Sequence, residues 1–379
     1  MAANADRYEI AAYRPEFRAG LLELQRHMWG PNPERNAVYL EWKYERNPYS
    51  NDSFIYVALC DGQVVGMRTM YVTEWEAGQP SQRFLCLSDA DGVIHPDHRR
   101  RGLLERMTRA TLEEVARHDR EYSITLSANP ASAAHNLKLG WHSAGSVETA
   151  SRPANRGTES RLRALAAKVP LLAPAYRQVR QRFAALRAPS DSERPAFDAL
   201  DGTQAQLDGR ATSHIVIDRS PRPEAMAELV DRSGSDGRIR HTRDQRFFAW
   251  RFQNPLSVYR FFFWEDSRLE GYLVLQTAAG ATENAWIRIV DWESTNLQVR
   301  AELLQAAVEH SHAHQLVIWS ASLPDEVKAL LRDHGFAFSD MTKDISDGIW
   351  HPHVLLRPVR RDIPQAQWTF AGRDLLDLA

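Results

Sequence analysis

The sequence predicts an α/β protein with mixed sheets, built as two copies of one domain in tandem. Strand and helix patterns alternate from residue 8 to residue 150. The same order of elements returns between residues 213 and 340, which indicates an internal repeat. The length of 379 residues also suits two domains better than one. We therefore expect domains over residues 1–150 and 201–379, joined by a connector over 151–200.

The first copy alternates strands and helices in the order of a mixed sheet. Its predicted elements are strands at 8–13, 54–59, 64–73, 84–93 and 123–127, and helices at 102–118 and 131–139. Asp61-Gly62 lies between the second and third strands and supplies the positive φ that a tight hairpin turn needs. Gly140 ends the last helix.

Four pieces of the second copy follow the first in the same order. They are a strand at 215–217, the segment Phe248–Pro255 that mirrors Trp42–Pro48, a hairpin over 261–276, and a strand and helix over 316–333. Agreement in order across four elements indicates a structural duplication. The aromatic residues Trp42 and Tyr44, with Trp250 and Phe252, either wall a pocket or anchor the core of each copy.

The composition indicates a globular protein of the cytoplasm. Apolar residues make up 43% of the chain and charged residues 25%, with a net charge of −2, so no overall charge attracts nucleic acid. The two cysteines, Cys60 and Cys86, lack metal-ligand spacing and favour a reducing compartment. We identify no signal peptide, no membrane span and no metal site.

The connector has a composition of its own. Residues 152–187 contain nine basic side chains against one acid, Glu159, and apolar residues recur there at helical spacing. Pro170 and Pro174 divide the segment into two short predicted helices. Such a basic arm could dock an acidic acyl carrier protein or an anionic lipid surface. Alternatively, its arginines are solvated and its apolar stripe packs on a domain.

The segment from Val93 to Leu104 carries the strongest chemical signal. A strand ends, Pro96 forces an extended turn, and a basic stretch containing Gly102 opens an amphipathic helix. N–H groups at the start of a helix lack intrahelical partners and lie at the positive end of the helix dipole. They suit a pyrophosphate, and Gly102 allows close approach of the backbone.

This segment resembles motif A of the GNAT (GCN5-related N-acetyltransferase) family, Val-x-Pro-x-x-Arg-x-x-Gly. Val93, Pro96, Arg99 and Gly102 fit the pattern, whereas Leu104 stands where the family has a small residue. The resemblance implies that this loop holds the pyrophosphate of coenzyme A. The implied cofactor-binding residues are Val93, Ile94, Arg99, Arg100, Arg101, Gly102, Leu103 and Leu104.

A second resemblance, to motif B of the same family, covers Asn129–Trp141. It implies that Asn129, Ser132 and Asn136 face the pantetheine arm. In the second copy, the stretch after Trp292 contains neither Arg-x-x-Gly nor a glycine at the helix start. We therefore expect a degenerate second domain without its own cofactor site.

The resemblance implies direct attack of an acceptor amine on a thioester in a ternary complex. For the base, Asp89 and Asp91 precede Val93 on one strand, and alternation would put both on one face. Carboxylates so placed could raise one another's pKa. Many family members supply a tyrosine as acid at the position of Asn136, which has no titratable proton. Asn136 could still bind the sulfur, and the thiolate could leave unassisted.

Three functions follow from these expectations. The first is an N-acyltransferase that moves an acyl group from acyl-CoA, or from an acyl carrier protein, to an amine of a small molecule or peptide. The second is an aminoacyl-tRNA-dependent transferase of the peptidoglycan-bridge type, which resembles this chain in its duplicated domains and basic helical insertion. The third is a non-catalytic protein that binds acyl-CoA.

Overall fold

A computed structural model confirms an α/β fold with two mixed sheets. It describes residues 7–49, 54–118, 122–127, 130–153, 196–197, 203–207, 210–282, 285–311, 315–339 and 353–359. The first half contains β1 (Tyr8–Ala12), α1 (Arg18–Trp29), α2 (Pro33–Leu40), a π-helical turn (Glu41–Glu45), β2 (Phe54–Cys60), β3 (Gln63–Ala77), β4 (Gln82–Ile94), α3 (Leu103–Val115), β5 (Tyr122–Ser127), α4 (Pro130–Lys138) and β6 (His142–Ser146).

The second half repeats this order of elements. β7 (Thr149–Pro153) closes the first half, and the second half contains β8 (Thr203–Leu207), β9 (Arg210–Asp218), α5 (Pro223–Ser233), β10 (Arg240–His241), α6 (Gln245–Arg251), β11 (Ser257–Glu265), β12 (Leu269–Ala278), β13 (Trp286–Ser294), α7 (Leu297–Glu309), β14 (Gln315–Trp319), α8 (Asp325–Asp333), β15 (Ala337–Phe338) and β16 (His353–Pro358).

Each sheet is antiparallel except at one central pair of strands. The first sheet has the order β1-β2-β3-β4-β5-β16-β6, with the short β10 paired to β3, and the second has the order β15-β7-β14-β13-β12-β11-β9-β8. The parallel pairs are β4–β5 and β13–β14. The two sheets therefore share one plan, in which β13 and β14 correspond to β4 and β5.

The two halves exchange one strand each. β7 follows the first domain in sequence but pairs with β14 and β15 of the second sheet. β16 follows the second domain but lies between β5 and β6 of the first sheet. Each sheet is thus completed by the other half of the chain. The sequence boundaries of the two domains remain a prediction.

Helices cover both faces of the first sheet because apolar residues alternate along its strands. Val57 packs with Leu21 and Leu24 of α1, whereas its neighbour Ala58 packs with Leu103 and Met107 of α3. Adjacent residues of a strand point to opposite faces, so β2 supports a helix on each side. The loop between β4 and α3 is thereby fixed at both ends.

The largest apolar core joins the two domains. It combines Phe54 and Leu112 of the first half with Met226, Phe248 and Tyr272 of the second. The short strand β10 adds a polar contact, in which buried Arg240 forms an ion pair with Glu76 of β3. The sheets therefore share a hydrophobic interior as well as the exchanged strands.

Side-chain caps fix the starts of several helices. Asn32 caps α2 by accepting a hydrogen bond from the N–H of Arg35 at 2.9 Å. Asp244 does the same for α6, with the N–H of Phe247 at 2.7 Å. Such caps satisfy N–H groups that would otherwise lack a partner, each with a stabilisation of about 1 kcal/mol.

Two further sequence predictions concern the connector and the membrane. The predicted connector helices lie outside the described residues. The described part of the chain before them ends with β7. Within the ranges that the structure describes, no helix is both long and apolar enough to cross a bilayer. Cys60 and Cys86 are both buried free thiols.

Candidate active site

Strands β4 and β5 part at the centre of the first sheet. They pair from Cys86–Tyr122 to Ser88–Ile124, and β4 then runs on to Ile94. Open α/β sheets bind ligands where the carboxyl ends of parallel strands diverge. The predicted cofactor loop and both candidate aspartates lie on β4 beyond this point of divergence.

The backbone between β4 and α3 has the shape of an anion site. Arg100 and Gly102 have positive φ angles of 59° and 72°, which turn the chain before α3 begins at Leu103. No side chain caps the amino end of α3, so the first N–H groups of this helix are available to a ligand. A Cβ added to Gly102 would meet nothing within 4 Å, so the approach to this backbone is open.

Three consecutive arginines surround this backbone. Arg99, Arg100 and Arg101 are all exposed. Arg99 is steadied by a hydrogen bond of 3.2 Å from its Nε to the carbonyl oxygen of Ile94, and the Arg101 guanidinium lies 5.7 Å from the centre of the Tyr8 ring. Guanidinium groups beside a helix amino end favour the binding of a phosphate or a similar anion.

The apolar residues of the loop pack into the domain. Val93 and Leu103 are buried, so they would meet a ligand through their backbone. Ile94 packs over Gly66, where an added Cβ would lie 2.8 Å from its Cδ1. Leu104 lies against Gly92, with its Cδ1 3.1 Å from the position of a Cβ there. The large residue at position 104 therefore fills space beside β4.

A β-bulge in β4 separates the two candidate bases. Met70 of β3 pairs with Asp89, and Arg68 pairs with Gly92, so two residues of β4 oppose Thr69 alone. One extra residue reverses the alternation of side chains. The expectation that Asp89 and Asp91 share one face is wrong for this reason.

Asp89 lies on the α3 and α4 side of the sheet. Its carboxylate forms a buried ion pair with Arg68 and accepts a hydrogen bond of 2.6 Å from Nδ2 of Asn136. The Oδ1 atom of Asn136 is buried without a hydrogen-bond partner among the described residues. Both oxygens of Asp89 are thus held by neighbours, while Asn136 keeps a buried acceptor atom.

Asp91 lies on the opposite side, facing α2 and the π-helical turn. Its carboxylate accepts hydrogen bonds from the Tyr44 hydroxyl at 2.8 Å and the Tyr39 hydroxyl at 3.4 Å. The Lys43 ammonium lies 3.3 Å from Oδ1 of Asp91. The Tyr44 hydroxyl also lies 2.6 Å from the hydroxyl of Thr69, on the same face of β3.

Sequence reasoning missed this cluster around Lys43. The Lys43 ammonium lies 2.7 Å from the Tyr39 hydroxyl and 4.9 to 5.6 Å from the ring centres of Tyr39, Tyr44 and Tyr71. Burial, together with the charge of Asp91, holds the pKa of Tyr44 well above its usual value, so Tyr44 stays a phenol. The signal was a lysine between the aromatic residues Trp42 and Tyr44.

His135 of α4 lies on the same side of the sheet as Asp89. Its Nε2 is 3.2 Å from the hydroxyl of Thr108 in α3. Burial, and then the charge of Arg68, lower the pKa of His135, so the imidazole is neutral at neutral pH.

Ser132 and Asn129 are the two other residues that the resemblance places at the pantetheine arm. Ser132 is exposed on the first turn of α4, and Asn129 lies outside the described residues. The part of the chain that the structure describes contains no group of three or more side chains able to hold a metal ion.

The second domain repeats the bulge but lacks the loop. Val274 pairs with Asp291 and Leu275 with Ile289, so Asp291 of β13 corresponds to Asp91 of β4. Between β13 and α7 lie only residues 295–296, whereas residues 95–102 separate β4 from α3. This difference removes the segment that carries the three arginines in the first domain.

The cluster around Asp291 resembles the one around Asp91. The Tyr272 hydroxyl donates to Asp291 at 3.1 Å, and Arg243 donates to Asp291 at 3.0 Å and to Glu293 at 2.7 Å. Arg300 also donates to Glu293, at 2.9 Å. Each bulge therefore holds an aspartate between a tyrosine hydroxyl and a cation.

We compared the sequence and the fold with those of known proteins. Residues 9–144 match the family model of the acetyltransferase (GNAT) domain, whereas no curated protein matches the chain. The structure is similar to a GCN5-related N-acetyltransferase from Anabaena variabilis, with a TM-score of 0.56 and 14% identity over 93% of this chain and 73% of that one.

Two further structures have the same fold. A probable N-acyltransferase from Enterococcus faecalis has a TM-score of 0.53 and 12% identity, over 93% of this chain and 73% of that one. A tandem GNAT protein from the clavulanic acid biosynthesis pathway has a TM-score of 0.50 and 13% identity, over 94% of this chain and 100% of that one. At these identities the likeness concerns the fold. The first half of the chain thus matches the GNAT domain model, and the whole chain has a fold like that of a tandem GNAT protein.

Proposed function

We propose that the first domain transfers an acyl group from acyl-coenzyme A to an amine of a small molecule or peptide. The observation that carries the proposal is the loop from Arg99 to Gly102, which combines open N–H groups with three exposed arginines. It lies next to the point where β4 and β5 diverge. The GNAT family match supports an acyltransferase, and the loop supports coenzyme A as the carrier of the acyl group.

The donor side of the site is the face of β4 that carries Asp89. Arg99, Arg100 and Arg101, with the N–H groups after Gly102, would hold the pyrophosphate. The unpaired Oδ1 of Asn136 would accept a hydrogen bond from the pantetheine arm. When bound, the thioester supplies the acyl group. Backbone N–H groups near Gly92 and Val93 would stabilise negative charge on its carbonyl oxygen.

The acceptor side is the opposite face, where Asp91 is the proposed base. A carboxylate has about four lone-pair sites, and Tyr39, Lys43 and Tyr44 together occupy three of them. One site remains to take a proton from the acceptor's ammonium group.

The leaving thiolate needs no strong acid. Asn136 cannot supply a proton, and its Nδ2 is already bonded to Asp89. A thiol has a pKa of about 8.5, so the thiolate is a tolerable leaving group near neutral pH. We therefore assign Asn136 to the binding of the donor and leave proton delivery to solvent. The connector that could dock an acyl carrier protein lies outside the described residues, and the loop from Arg99 to Gly102 is what supports coenzyme A as the carrier.

The test is release of free thiol by the full-length protein, with a panel of acyl-CoA donors and amine acceptors. We expect release that depends on the amine and saturates with acyl-CoA. Joint replacement of Arg99, Arg100 and Arg101 by alanine should raise the KM for acyl-CoA at least tenfold. Binding without turnover with any amine would favour a non-catalytic protein. A failure to bind acyl-CoA, with transfer from aminoacyl-tRNA, would favour the tRNA-dependent class.

A further inference from the structure

The second domain contains a pocket at the place that corresponds to the divergence of β4 and β5 in the first domain. The pocket has a volume of about 270 Å³ and lies between α6, the end of β13, the start of α7 and the segment before α8. Ligand sites in proteins commonly have volumes from about 300 Å³ upward, so this pocket suits a small metabolite. Its position follows from the duplication, because β13 and α7 correspond to β4 and α3.

Coenzyme A does not fit this pocket. Residues 295–296 alone connect β13 to α7, and no loop of arginines with a glycine precedes this helix. Asn296 caps α7 with its own side chain, which accepts a hydrogen bond from the N–H of Val299 at 2.9 Å. The second domain thus has a cavity at the end of β13 but no counterpart of the loop from Arg99 to Gly102.

The interior of the pocket carries an excess of positive charge. Its inner wall holds the carboxylates of Asp291 and Glu293 against the guanidinium groups of Arg243, Arg251 and Arg300. Arg243 bridges both carboxylates, and Arg300 binds the second. The two carboxylates and these two guanidinium groups have no net charge together. The positive charge of Arg251 is therefore in excess.

The remaining charged groups of the lining do not offset Arg251. Arg240 is neutralised by Glu76 of the first sheet. Asp236 and Glu326 are exposed at the mouth, where water screens their charge. Arg251 itself forms no salt bridge with an acid in the described part of the chain. It lies 5.7 Å and 6.0 Å from the ring centres of Phe247 and Phe252.

The geometry of this wall is fixed before any ligand binds. The side chains of Arg243 and Glu293 are about nine-tenths buried, and each forms two charged hydrogen bonds. Aromatic rings hold Arg251 beside them. The charge of Arg251 also acts on Asp291, but Arg251 forms no salt bridge within the described ranges, and such a half-buried guanidinium in a preformed cavity favours a ligand that brings one negative charge.

We infer that this pocket of the second domain binds a small molecule through a carboxylate or phosphoryl group, with Arg251 as its principal contact. The fork of N–H donors on a guanidinium matches the paired oxygens of either group. The site is separate from the acyl-CoA site that we propose for the first domain. Its ligand would be an acceptor fragment or an effector of low molecular mass.

Calorimetric titration of the full-length protein tests the inference, with inorganic phosphate, succinate and the uncharged analogue succinamide as probes. We expect saturable binding of phosphate or succinate at one site per chain and no binding of succinamide. Saturation by succinate alone assigns a carboxylate ligand, and saturation by phosphate alone assigns a phosphoryl ligand. Arg251→Gln should weaken binding at least tenfold, whereas Arg268→Gln, at an exposed arginine outside the pocket lining, should not change it.

A second variant guards against loss of folding. Leu297 lines the pocket and is 42% exposed, so Leu297→Trp would obstruct the cavity without disturbing the core. It should abolish anion binding and leave the affinity for acetyl-CoA unchanged. The inference is overturned if neither anion binds, if Arg251→Gln and Leu297→Trp bind as the wild type does, or if acetyl-CoA displaces the anion.

Discussion

Trp42 and Trp250 exchange hydrogen bonds across the boundary between the two domains. Nε1 of Trp42 donates to the carbonyl oxygen of Trp250 at 2.7 Å, and Nε1 of Trp250 donates to that of Trp42 at 2.9 Å. Their rings stack with centres 5.4 Å apart. Equivalent segments of the two copies thus meet in a reciprocal contact, and the two tryptophans join the domains to each other.

This pairing predicts energetic coupling between the domains. Trp42→Ala and Trp250→Ala should each lower the free energy of unfolding by about 3 kcal/mol. Because both remove the same stack, the double variant should cost about 1 kcal/mol less than the sum. Urea denaturation measures these values. Trp42→Ala with Trp264→Ala is the control pair and should be additive, since Trp264 stacks on His214 instead. Additivity for Trp42 and Trp250 would contradict the coupling.

Gly102 should matter through its backbone conformation. A Cβ there meets no atom within 4 Å, but the φ of 72° is strained for an L side chain by about 1–2 kcal/mol. Gly102→Ala should therefore weaken acetyl-CoA binding about tenfold, measured by calorimetry. Gly62→Ala is the matched control, with a φ of 77° and equal space in a hairpin turn. Equal effects of the two substitutions on affinity would refute a role of this loop in binding.

Asp91 and Asp89 should respond differently to replacement by asparagine. Asp91→Asn should lower kcat by about 10²- to 10⁴-fold, as expected for loss of a general base. Asp91→Asn also breaks the buried ion pair with Lys43, which lowers the stability of the fold. The double variant Asp91→Asn with Lys43→Met should therefore have a higher melting temperature than Asp91→Asn alone, but its kcat should stay low. Asp89→Asn should act chiefly on stability, through Arg68. Full turnover by the Asp91→Asn variant would exclude Asp91 as the base.

We expect protonation of His135 to lower the free energy of unfolding in mild acid. Its pKa in the folded protein lies below the usual 6.5 because of burial, so the unfolded chain takes up the proton first. Stability is then fully present above pH 6.5 and falls as the pH drops through the folded pKa. His135→Gln should flatten this part of the profile of melting temperature against pH. A variant with the same acid slope as the wild type would show that another group is responsible.

The geometry of the loop from Arg99 to Gly102 was predictable because its residues are contiguous. Arg99 and Gly102 act within one turn, so their spacing in the sequence already implies their geometry. The cluster of Tyr39, Lys43 and Asp91 was not predictable in this way. It depends on a bulge in β4, and the residues from Ser88 to Gly92 include no large apolar side chain whose alternation would reveal the bulge.

The exchange of strands was also hidden from the sequence. β7 and β16 have the composition of ordinary strands, and nothing local distinguishes a strand that returns to its own sheet from one that crosses to another. The order of elements was nevertheless sufficient to predict the duplication. The lost loop after Trp292 was sufficient to predict that the second copy is degenerate in its cofactor segment.

The most direct test of the account is the stoichiometry of acetyl-CoA binding to the full-length chain, measured by isothermal titration calorimetry. We predict one site per chain, lost when Arg99, Arg100 and Arg101 are replaced together by alanine. Two sites per chain, or one site that survives this triple replacement, would contradict the assignment of the donor site to the first domain.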